Sequence, residues 1–332
     1  MLNKIARALT RKPKLVVTVA VLLLIPSLLG TAATRINYDI LTYLPPQLDS
    51  AKGEALLEEP FKSAATTMLI VKNMPPSYTN ELRRKISDVP GVSNAVWVSS
   101  LVGIQVPTDM LSDDLREKFF SGDSTIMIIQ YDMPGASAQT MKAIDQVRRL
   151  ANKQCFLAGL SVIVKDTKDL ADRELPVYVT LAVVFSFVAM SLTMDSWLLP
   201  VALLLSTGLA IFYNMGTNVF LGQISYITNA IAAVLQLGVT MDFSIFIYER
   251  YKEEQAHYED NRDAMAKAIA SSFLALSISS LTTVAGFLSL CFMRLRLGLD
   301  IGIVMAKGVA LGIVTSVCIL PAILLEFDKY ID

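Results

Sequence analysis

The sequence has very little histidine, cysteine and charge. Of its 332 residues one is histidine, His257, three are cysteine, and 18% are charged. A lone histidine in a charged loop excludes a His-cluster metal site and argues against Ser/His or Cys/His catalysis. Cys155, Cys291 and Cys318 form no CxxC pair, so we expect neither a disulfide nor a zinc site. The sequence therefore predicts no catalytic residues and no metal site, and we do not expect an enzyme.

An excess of basic charge is also missing. The 29 Lys and Arg residues balance 30 Asp and Glu residues, which leaves a net charge of -1. No global positive field exists to hold nucleic acid, so nucleic acid is not expected as a partner. No GxxxxGK[ST] sequence occurs either, so an ATP motor within this chain is not supported.

Long apolar runs are what the sequence does contain. Its residues are 53% hydrophobic and its mean hydropathy is +0.51, values typical of a membrane protein. A membrane-spanning helix needs about 20 mostly apolar residues. Six runs meet this length, and they lie at residues 15–33, 175–194, 197–215, 227–248, 272–292 and 301–325. The sequence predicts one span, a large polar insertion and then five closely spaced spans.

The distribution of Lys and Arg predicts the orientation of these spans. Residues 1–14 contain Lys4, Arg7, Arg11, Lys12 and Lys14, and basic segments stay on the cytoplasmic side. This rule predicts cytoplasmic termini in the plasma membrane and an extracytoplasmic segment at 34–174. One short loop, with basic residues at 294 and 296, opposes the rule, and two arginines at a helix end can reach the headgroups by snorkelling.

In the insertion at 34–174 the long apolar runs are replaced by short strands that alternate with polar helices. This pattern is typical of a folded α+β domain. Strands are predicted at 66–72, 91–99, 124–133 and 156–164, and helices at 77–87 and 137–152, the second capped by Ser137. The order β-α-β-β-α-β is that of a ferredoxin-like domain. Such a domain could be a structural lid or could contact a ligand, because a fold alone does not define chemistry.

Asp242 is the clearest ionisable residue inside a predicted span. Six residues separate it from Glu249, a rise of about 9 Å, so its carboxyl is expected within the hydrocarbon. An acid there is costly and is by default a functional hypothesis. Low dielectric favours the neutral form, so Asp242 could load and release protons; the alternative is a structural Asp bonded permanently to another helix. Gly238, one turn earlier, would permit close helix approach.

Other polar residues in the spans could support Asp242. Ser279 and Thr283 share one face of the fifth span and could hydrogen-bond Asp242 or line a hydrated proton path. The remaining supporting positions are Thr240, Ser244, Ser280, Thr282 and Gly286. Lys307, in the last span, is predicted either to snorkel or to act as a counter-charge, and at a different depth from Asp242.

Four segments resemble one half of a resistance-nodulation-division transporter, and the resemblance is greatest to the MMPL and Patched-like branch. They are Leu235–Phe246 (LQLGVTMDFSIF), Arg250–Glu254 (RYKEE), Ser280–Phe287 (SLTTVAGF) and Leu320–Leu325 (LPAILL). They occur in the order of that family, and the resemblance covers essentially the whole chain. It implies an extracytoplasmic porter-type domain and a proton-driven exporter of lipidic or amphipathic compounds, with no cofactor beyond the proton gradient.

The resemblance also implies individual roles. Asp242 matches the proton-carrying Asp, and Ser279 matches a hydroxyl facing it. Phe243 departs from the Asp-Tyr of many relatives, which puts in doubt a bond from this position to the other half. Family members combine two such halves, so a second six-span half is expected as a partner, either another copy of this chain in a homodimer or a carboxyl-terminal half of a longer protein. The lipid bilayer and a hydrophobic substrate are the other expected partners.

Two other functions remain open at this point. An accessory subunit of protein export has the same six-span plan at similar length. A sterol- or lipid-sensing module that binds without transport would also suit this scaffold, although a sensor has less need of an acid within a span.

Overall fold

The computed structural model describes residues 2–49, 51–53, 56, 65–102, 112–194 and 196–331. The chain divides into two compact units. One consists of Met1–Asn37 with Ala171–Asp332, and the other is Tyr38–Leu170. The first contains most of the long apolar helices and the second contains the main sheet.

Helices account for most of the described residues. In chain order they are α1 Leu2–Arg11, α2 Pro13–Ala33, α3 Pro76–Ser87, α4 Val98–Val102, α5 Asp113–Phe119, α6 Ala138–Leu150, α7 Leu160–Thr193, α8 Leu198–Thr217, α9 Tyr226–Gln255, α10 Asn261–Ser289, α11 Arg296–Val314 and α12 Leu320–Ile331. A π-helical turn, Thr315–Ile319, joins α11 to α12. Six helical segments are long and apolar enough to cross a membrane, in agreement with the six predicted spans. The chain is therefore a multi-pass membrane protein.

The strands form one small and one larger sheet. In chain order they are β1 Arg35–Asn37, β2 Ala65–Lys72, β3 Val92–Val96, β4 Phe120–Ser121, β5 Ser124–Tyr131, β6 Cys155–Ala158 and β7 Gln223–Ser225. The larger sheet has the antiparallel order β3-β5-β2-β6, with β4 forming a hairpin with β5. With α3 and α6 this is the predicted β-α-β-β-α-β order. In the small sheet, β1 pairs with β7 in parallel.

One face of the larger sheet carries the core of the Tyr38–Leu170 unit. Alternate residues of β2 and β5 are buried there, among them Leu69 and Ile129, as period-two strands require. Ile86 of α3 and Ile144 of α6 pack on the same core. Ser137 caps α6 as predicted, because its side chain accepts a hydrogen bond from the backbone N–H of Thr140 at 3.1 Å.

Two predicted strands extend too far. The segment 91–99 is a strand only over Val92–Val96, and α4 begins at Val98. The segment 156–164 is a strand only over Cys155–Ala158, because Gly159 has φ +127° and turns the chain into α7. The run of Val and Ile residues that suggested strand continuation instead lies on the first turns of α7.

The second span belongs to a longer helix than predicted. α7 begins at Leu160, fifteen residues before the predicted start at 175, and has 34 residues. Its first turns carry several charged residues, and Lys165 there is paired with Asp145 at 3.0 Å and with Asp169. An apolar-run search finds only the uncharged part of such a helix, so it places the start too late.

The long helices differ in how deeply they are packed. In the unit of Met1–Asn37 with Ala171–Asp332, α8, α9 and the segment from α11 to α12 bury much of their surface, whereas α2 and α10 expose most of theirs. α9 contacts α8, α10 and α11. This arrangement leaves one side of α9 without a neighbour among the described helices.

Candidate functional site

Asp242 lies on the uncovered side of α9. Leu235, Gly238, Asp242 and Phe246 follow at spacings of three or four residues, and all four are exposed. On the opposite side, residues such as Ile247 are completely buried against the neighbouring helices. Asp242 is thus exposed in this chain, and its position within the hydrocarbon stays a prediction. The position of a residue along a helix determines its depth in the membrane, but helix packing determines which way the residue faces.

The Asp242 side chain lines a cavity of about 410 Å³ between α9 and α10. Ser279 and Thr283 of α10 also line it, so the structure brings together the three residues predicted as the proton relay. Phe243 forms part of the same wall and is only 5% exposed. In the described part of the chain, no side chain or backbone group is hydrogen-bonded to the Asp242 carboxylate.

Two threonine hydroxyls of α10 near this cavity have local hydrogen bonds, and of the two only Thr283 lines the cavity. Thr283 donates to the carbonyl oxygen of Ser279 at 3.1 Å, and Thr282 donates to the same oxygen at 2.6 Å. Each hydroxyl oxygen can still accept a hydrogen bond, for example from water or from a protonated carboxyl. Gly286 lies one turn beyond Thr282 on α10 and is exposed, with open space where a side chain would be.

None of the seven predicted supporting residues lines the cavity, and three of them are buried in the helix bundle. Thr240, Ser244 and Ser280 are at most 3% exposed and point into the helix bundle. The Ser244 hydroxyl lies 3.0 Å from that of Ser316, and Ser280 donates to the carbonyl of Ser277. They point away from the cavity because each lies about 100° around its helix from a neighbouring cavity residue.

Thr240 and Ser244 belong instead to a polar seam between α9 and the segment formed by α11 and the π-helical turn. The Thr228 hydroxyl donates to Asp300 at 2.6 Å, Gln236 donates to the carbonyl of Gly308 at 3.1 Å, and Ser244 contacts Ser316. Each of these pairs is separated by 72 residues, as expected of two helices that run side by side in a constant register. Sequence reasoning missed the seam.

One sequence signal could have revealed this seam. Gly308 and Gly312 form a GxxxG pattern, which is typical of close helix contacts in membranes. A Cβ at Gly308 would lie 2.6 Å from Asn214 Nδ2, and one at Gly312 would lie 2.5 Å from Thr240 Oγ1. Only glycine therefore permits the polar side chains of α8 and α9 to lie directly against α11.

Lys307 is bonded to the carboxyl end of α8 and not to Asp242. Its ammonium donates to the Asn214 carbonyl at 2.9 Å, Thr217 Oγ1 at 2.8 Å and Asn218 Oδ1 at 2.6 Å. These bonds use all three N–H groups of the ammonium. Because α8 ends at Thr217, the cation also lies at the negative end of a helix dipole. The structure thus gives Lys307 a third role, which is to hold the end of α8 against α11.

Replacing Lys307 by Met is expected to destabilise this helix contact. The change leaves the buried Asn218 Oδ1 without its donor, which costs about 1–3 kcal/mol. The measurement is the thermal unfolding midpoint of the purified protein in detergent. Lys267→Met is the matched control, because Lys267 is exposed on α10. Equal midpoints for the two variants would contradict the anchoring role.

Comparisons with known proteins agree with the resemblance in the sequence. The model of the MMPL family matches residues 65–327. The chain is 31% identical over 319 residues to the membrane protein ActII-3 of Streptomyces coelicolor, a match that covers 75% of this chain and 43% of that protein. It is also 23% identical to the mycolic acid-containing lipids exporter MmpL11 of Mycolicibacterium smegmatis, over 70% of this chain and 26% of the exporter.

A solved structure shares the fold. SecDF from Thermus thermophilus, a translocon-associated membrane protein, matches with a TM-score of 0.51 and 15% identity, over 96% of this chain and 38% of that one. At this identity the likeness concerns the fold alone. The chain thus spans less than half the length of each of the three proteins named here. Together, the family model and the sequence relatives show that this chain belongs to the MMPL family of the resistance-nodulation-division superfamily.

Proposed function

We propose that the chain is one half of a proton-coupled secondary transporter that exports lipidic or amphipathic compounds. The observation that carries this proposal is the Asp242 carboxylate, which faces outward from α9 into a cavity shared with Ser279 and Thr283. An ionised carboxylate facing lipid at this depth costs a few kcal/mol or more. A site with that cost has to be covered by protein, hydrated or protonated.

The exposed faces of α9 and α10 favour a second six-helix unit as the protein that covers this site. The exposed side of α9 contains Gly238, and α10 exposes Gly286; a Cβ added to either glycine would meet nothing within 4 Å. Small residues on an exposed helix face permit a second set of helices to approach closely. In transporters generally, polar sites lie between two repeated halves. The second unit could be another copy of this chain or a further part of a longer protein.

If a second unit covered the cavity, the charge of Asp242 would depend on whether the conformation of the transporter opens or closes the cavity to water. When water reaches the carboxyl, the ionised form is solvated, and when the cavity is closed and dry, the neutral form is favoured. Alternation between the two would take up a proton from one side and release it to the other. Ser279 and Thr283 would provide hydrogen-bonding oxygens along the path.

The Tyr38–Leu170 unit would act as the extracytoplasmic ferredoxin-like porter domain. The basic residues of the first fourteen positions favour a cytoplasmic amino terminus, and one span then places this unit outside. The name of the related mycolic acid-containing lipids exporter supports a lipidic substrate class. Under this proposal, proton movement at Asp242 drives rearrangement of the outer unit and release of the substrate.

The test is proton uptake by proteoliposomes that hold only this chain, under an imposed pH gradient. Flux that depends on Asp242 would mean that copies of the chain assemble a complete path. If wild type shows no flux, the same assay is repeated after coexpression with any chain that copurifies as a second half. Asp242-independent flux in both preparations would overturn the proposal.

The runner-up is an accessory subunit of protein export. SecDF shares the fold, but fold likeness at 15% identity does not transfer a function. The family match and the lipid exporter among the relatives favour transport. Copurification with a protein-conducting channel would reverse this order. Sterol binding that is independent of pH and of Asp242 would instead support a sensing module.

A further inference from the structure

A second cavity lies on a different side of the same unit. It has a volume of about 370 Å³ and is formed by α2, α8 and the segment from α11 to α12. Cavities of about 300–1,000 Å³ are typical of ligand sites. None of its lining residues is shared with the Asp242 cavity, so it requires an explanation of its own.

The walls of this cavity are suited to an apolar ligand. Ser27, Tyr213, Thr217 and Thr315 are its only lining residues with polar side chains. Their hydroxyls donate to backbone carbonyls of Leu23, Ala20, Tyr213 and Gly312, at 2.7–2.9 Å. The cavity therefore offers no free hydrogen-bond donor from these side chains. A polar ligand would lose its hydrogen bonds to water on entering the cavity and would gain none in return, whereas a hydrocarbon chain has no such hydrogen bonds to lose.

The cavity opens toward the surroundings of the helices and has a buried floor. Phe220, Val314 and Leu23 at its rim are 86%, 54% and 51% exposed. Tyr213 and Ile319 at its floor are each 8% exposed. The rim faces the medium that surrounds membrane-spanning helices, which is lipid hydrocarbon. Acyl chains are therefore the molecules present at the entrance at the highest concentration.

The cavity also extends in the direction in which a lipid acyl chain lies in a membrane. One end is at Thr217 and Phe220, close to the end of the third apolar helical segment at Leu221. From Leu311 to Ile319 the last span advances eight residues, about 12 Å, which is most of one leaflet of a 30 Å hydrocarbon core. A chain that enters beside Phe220 can therefore continue inward along its own leaflet.

A positive charge lies just behind the outer end. Lys307 donates to Thr217 Oγ1, and Thr217 lines the cavity. The ammonium has only neutral partners, and Asp300, two turns earlier on α11, is bonded to the Ser225 N–H and the Thr228 hydroxyl. A phosphate at the mouth would be attracted by this cation, which favours a phospholipid over an uncharged hydrocarbon.

From the lining, the opening and the charge, we propose that this cavity binds an acyl chain of a bilayer phospholipid, with its headgroup near Thr217 and Phe220. The bound chain fills the space between α2 and the last span. The site is separate from the proton-carrying site and does not depend on the proposed transport function.

The test uses a phospholipid with a photoactivatable diazirine in the middle of one acyl chain, incorporated in nanodiscs with the full chain. After illumination, mass spectrometry locates the adducts. Lipid that merely surrounds the protein labels exposed positions such as Leu192, which is 82% exposed, and cannot reach the floor. We expect adducts on Ile319 and Tyr213 in addition to Leu192. Adducts on Leu192 without adducts on the floor would overturn the proposal.

Variants of the last span test the entrance. Val314→Trp fills the rim and is expected to abolish floor labelling while Leu192 labelling persists. Leu299→Trp is the matched control, because Leu299 is 46% exposed on the same helix but does not line the cavity, and floor labelling should remain. Floor labelling that survives Val314→Trp would overturn the proposed entrance.

Two further arms separate the alternatives. A single-chain diazirine alcohol that labels the floor when the phospholipid does not would identify the occupant as another hydrophobic compound and overturn the phospholipid assignment. Asp242→Asn is expected to leave floor labelling unchanged. Loss of proton flux without loss of labelling would therefore separate this site from the transport proposal.

Discussion

Proton flux is expected to fall to background when Asp242 is replaced by Asn. The amide has nearly the shape of the carboxyl, but it neither binds nor releases a proton at any pH that the protein survives. The structure offers no substitute, since the other residues that line the cavity have hydroxyl or apolar side chains. The measurement is the rate of proton uptake by proteoliposomes under a fixed pH gradient, at equal amounts of incorporated protein.

Glu249→Gln is the matched control for this loss. Glu249 is an exposed acid on the same helix, seven residues after Asp242, and it does not line the cavity. This variant removes the same charge and should keep wild-type flux. If both variants lose flux equally, the loss results from removing a negative charge anywhere on α9. If Asp242→Asn keeps full flux, Asp242 has no part in the mechanism.

Gly216→Ala is expected to cause the largest loss of stability of any single methyl addition considered for this chain. A Cβ at Gly216 would lie 2.7 Å from the carbonyl carbon of Ser27 on α2, and still closer to the Cα and oxygen of that residue. The reverse contact is equally tight, because a Cβ at Gly30 would lie 3.0 Å from the carbonyl carbon of Gly216. Backbone atoms cannot rotate away, so α2 must separate from α8.

The expected cost is about 3 kcal/mol, at the upper end of what overpacking costs in a core. It is measured as a lowered unfolding midpoint of the purified protein in detergent. Gly208→Ala is the control, since Gly208 lies two turns earlier on α8 with nothing within 4 Å of its Cβ position. That variant should keep or slightly raise the midpoint, because Ala favours helix. Similar midpoints for both variants would contradict the close α2–α8 contact.

The strand–helix order of the Tyr38–Leu170 unit could be predicted because its signals are local. The alternation of β2 and β5 and the Ser137 cap depend on neighbouring residues only. The end of β6 could not be predicted in the same way. Val162 and Val164 have high strand propensity, yet both are buried on a helix, so tertiary packing overrode propensity there.

Lys307 shows a different limit of prediction. Snorkelling and a role as counter-charge were the two predicted roles, and neither of them identifies a partner residue. The actual partners, Asn214, Thr217 and Asn218, are about ninety residues earlier in the chain. Only the packing of α8 against α11 brings them within hydrogen-bonding distance.

The sequence by itself determined the number of spans, the family and the presence of an acid within one of the long apolar helices, at position 242. Each depends on composition, residue order or distance along one helix, and none requires knowledge of a neighbour. The tertiary structure alone decided that Asp242 faces outward, whereas Thr240, Ser244 and Ser280 face inward. The physical reason is that a helix in lipid is apolar on most sides, so its sequence does not mark which side packs against another helix.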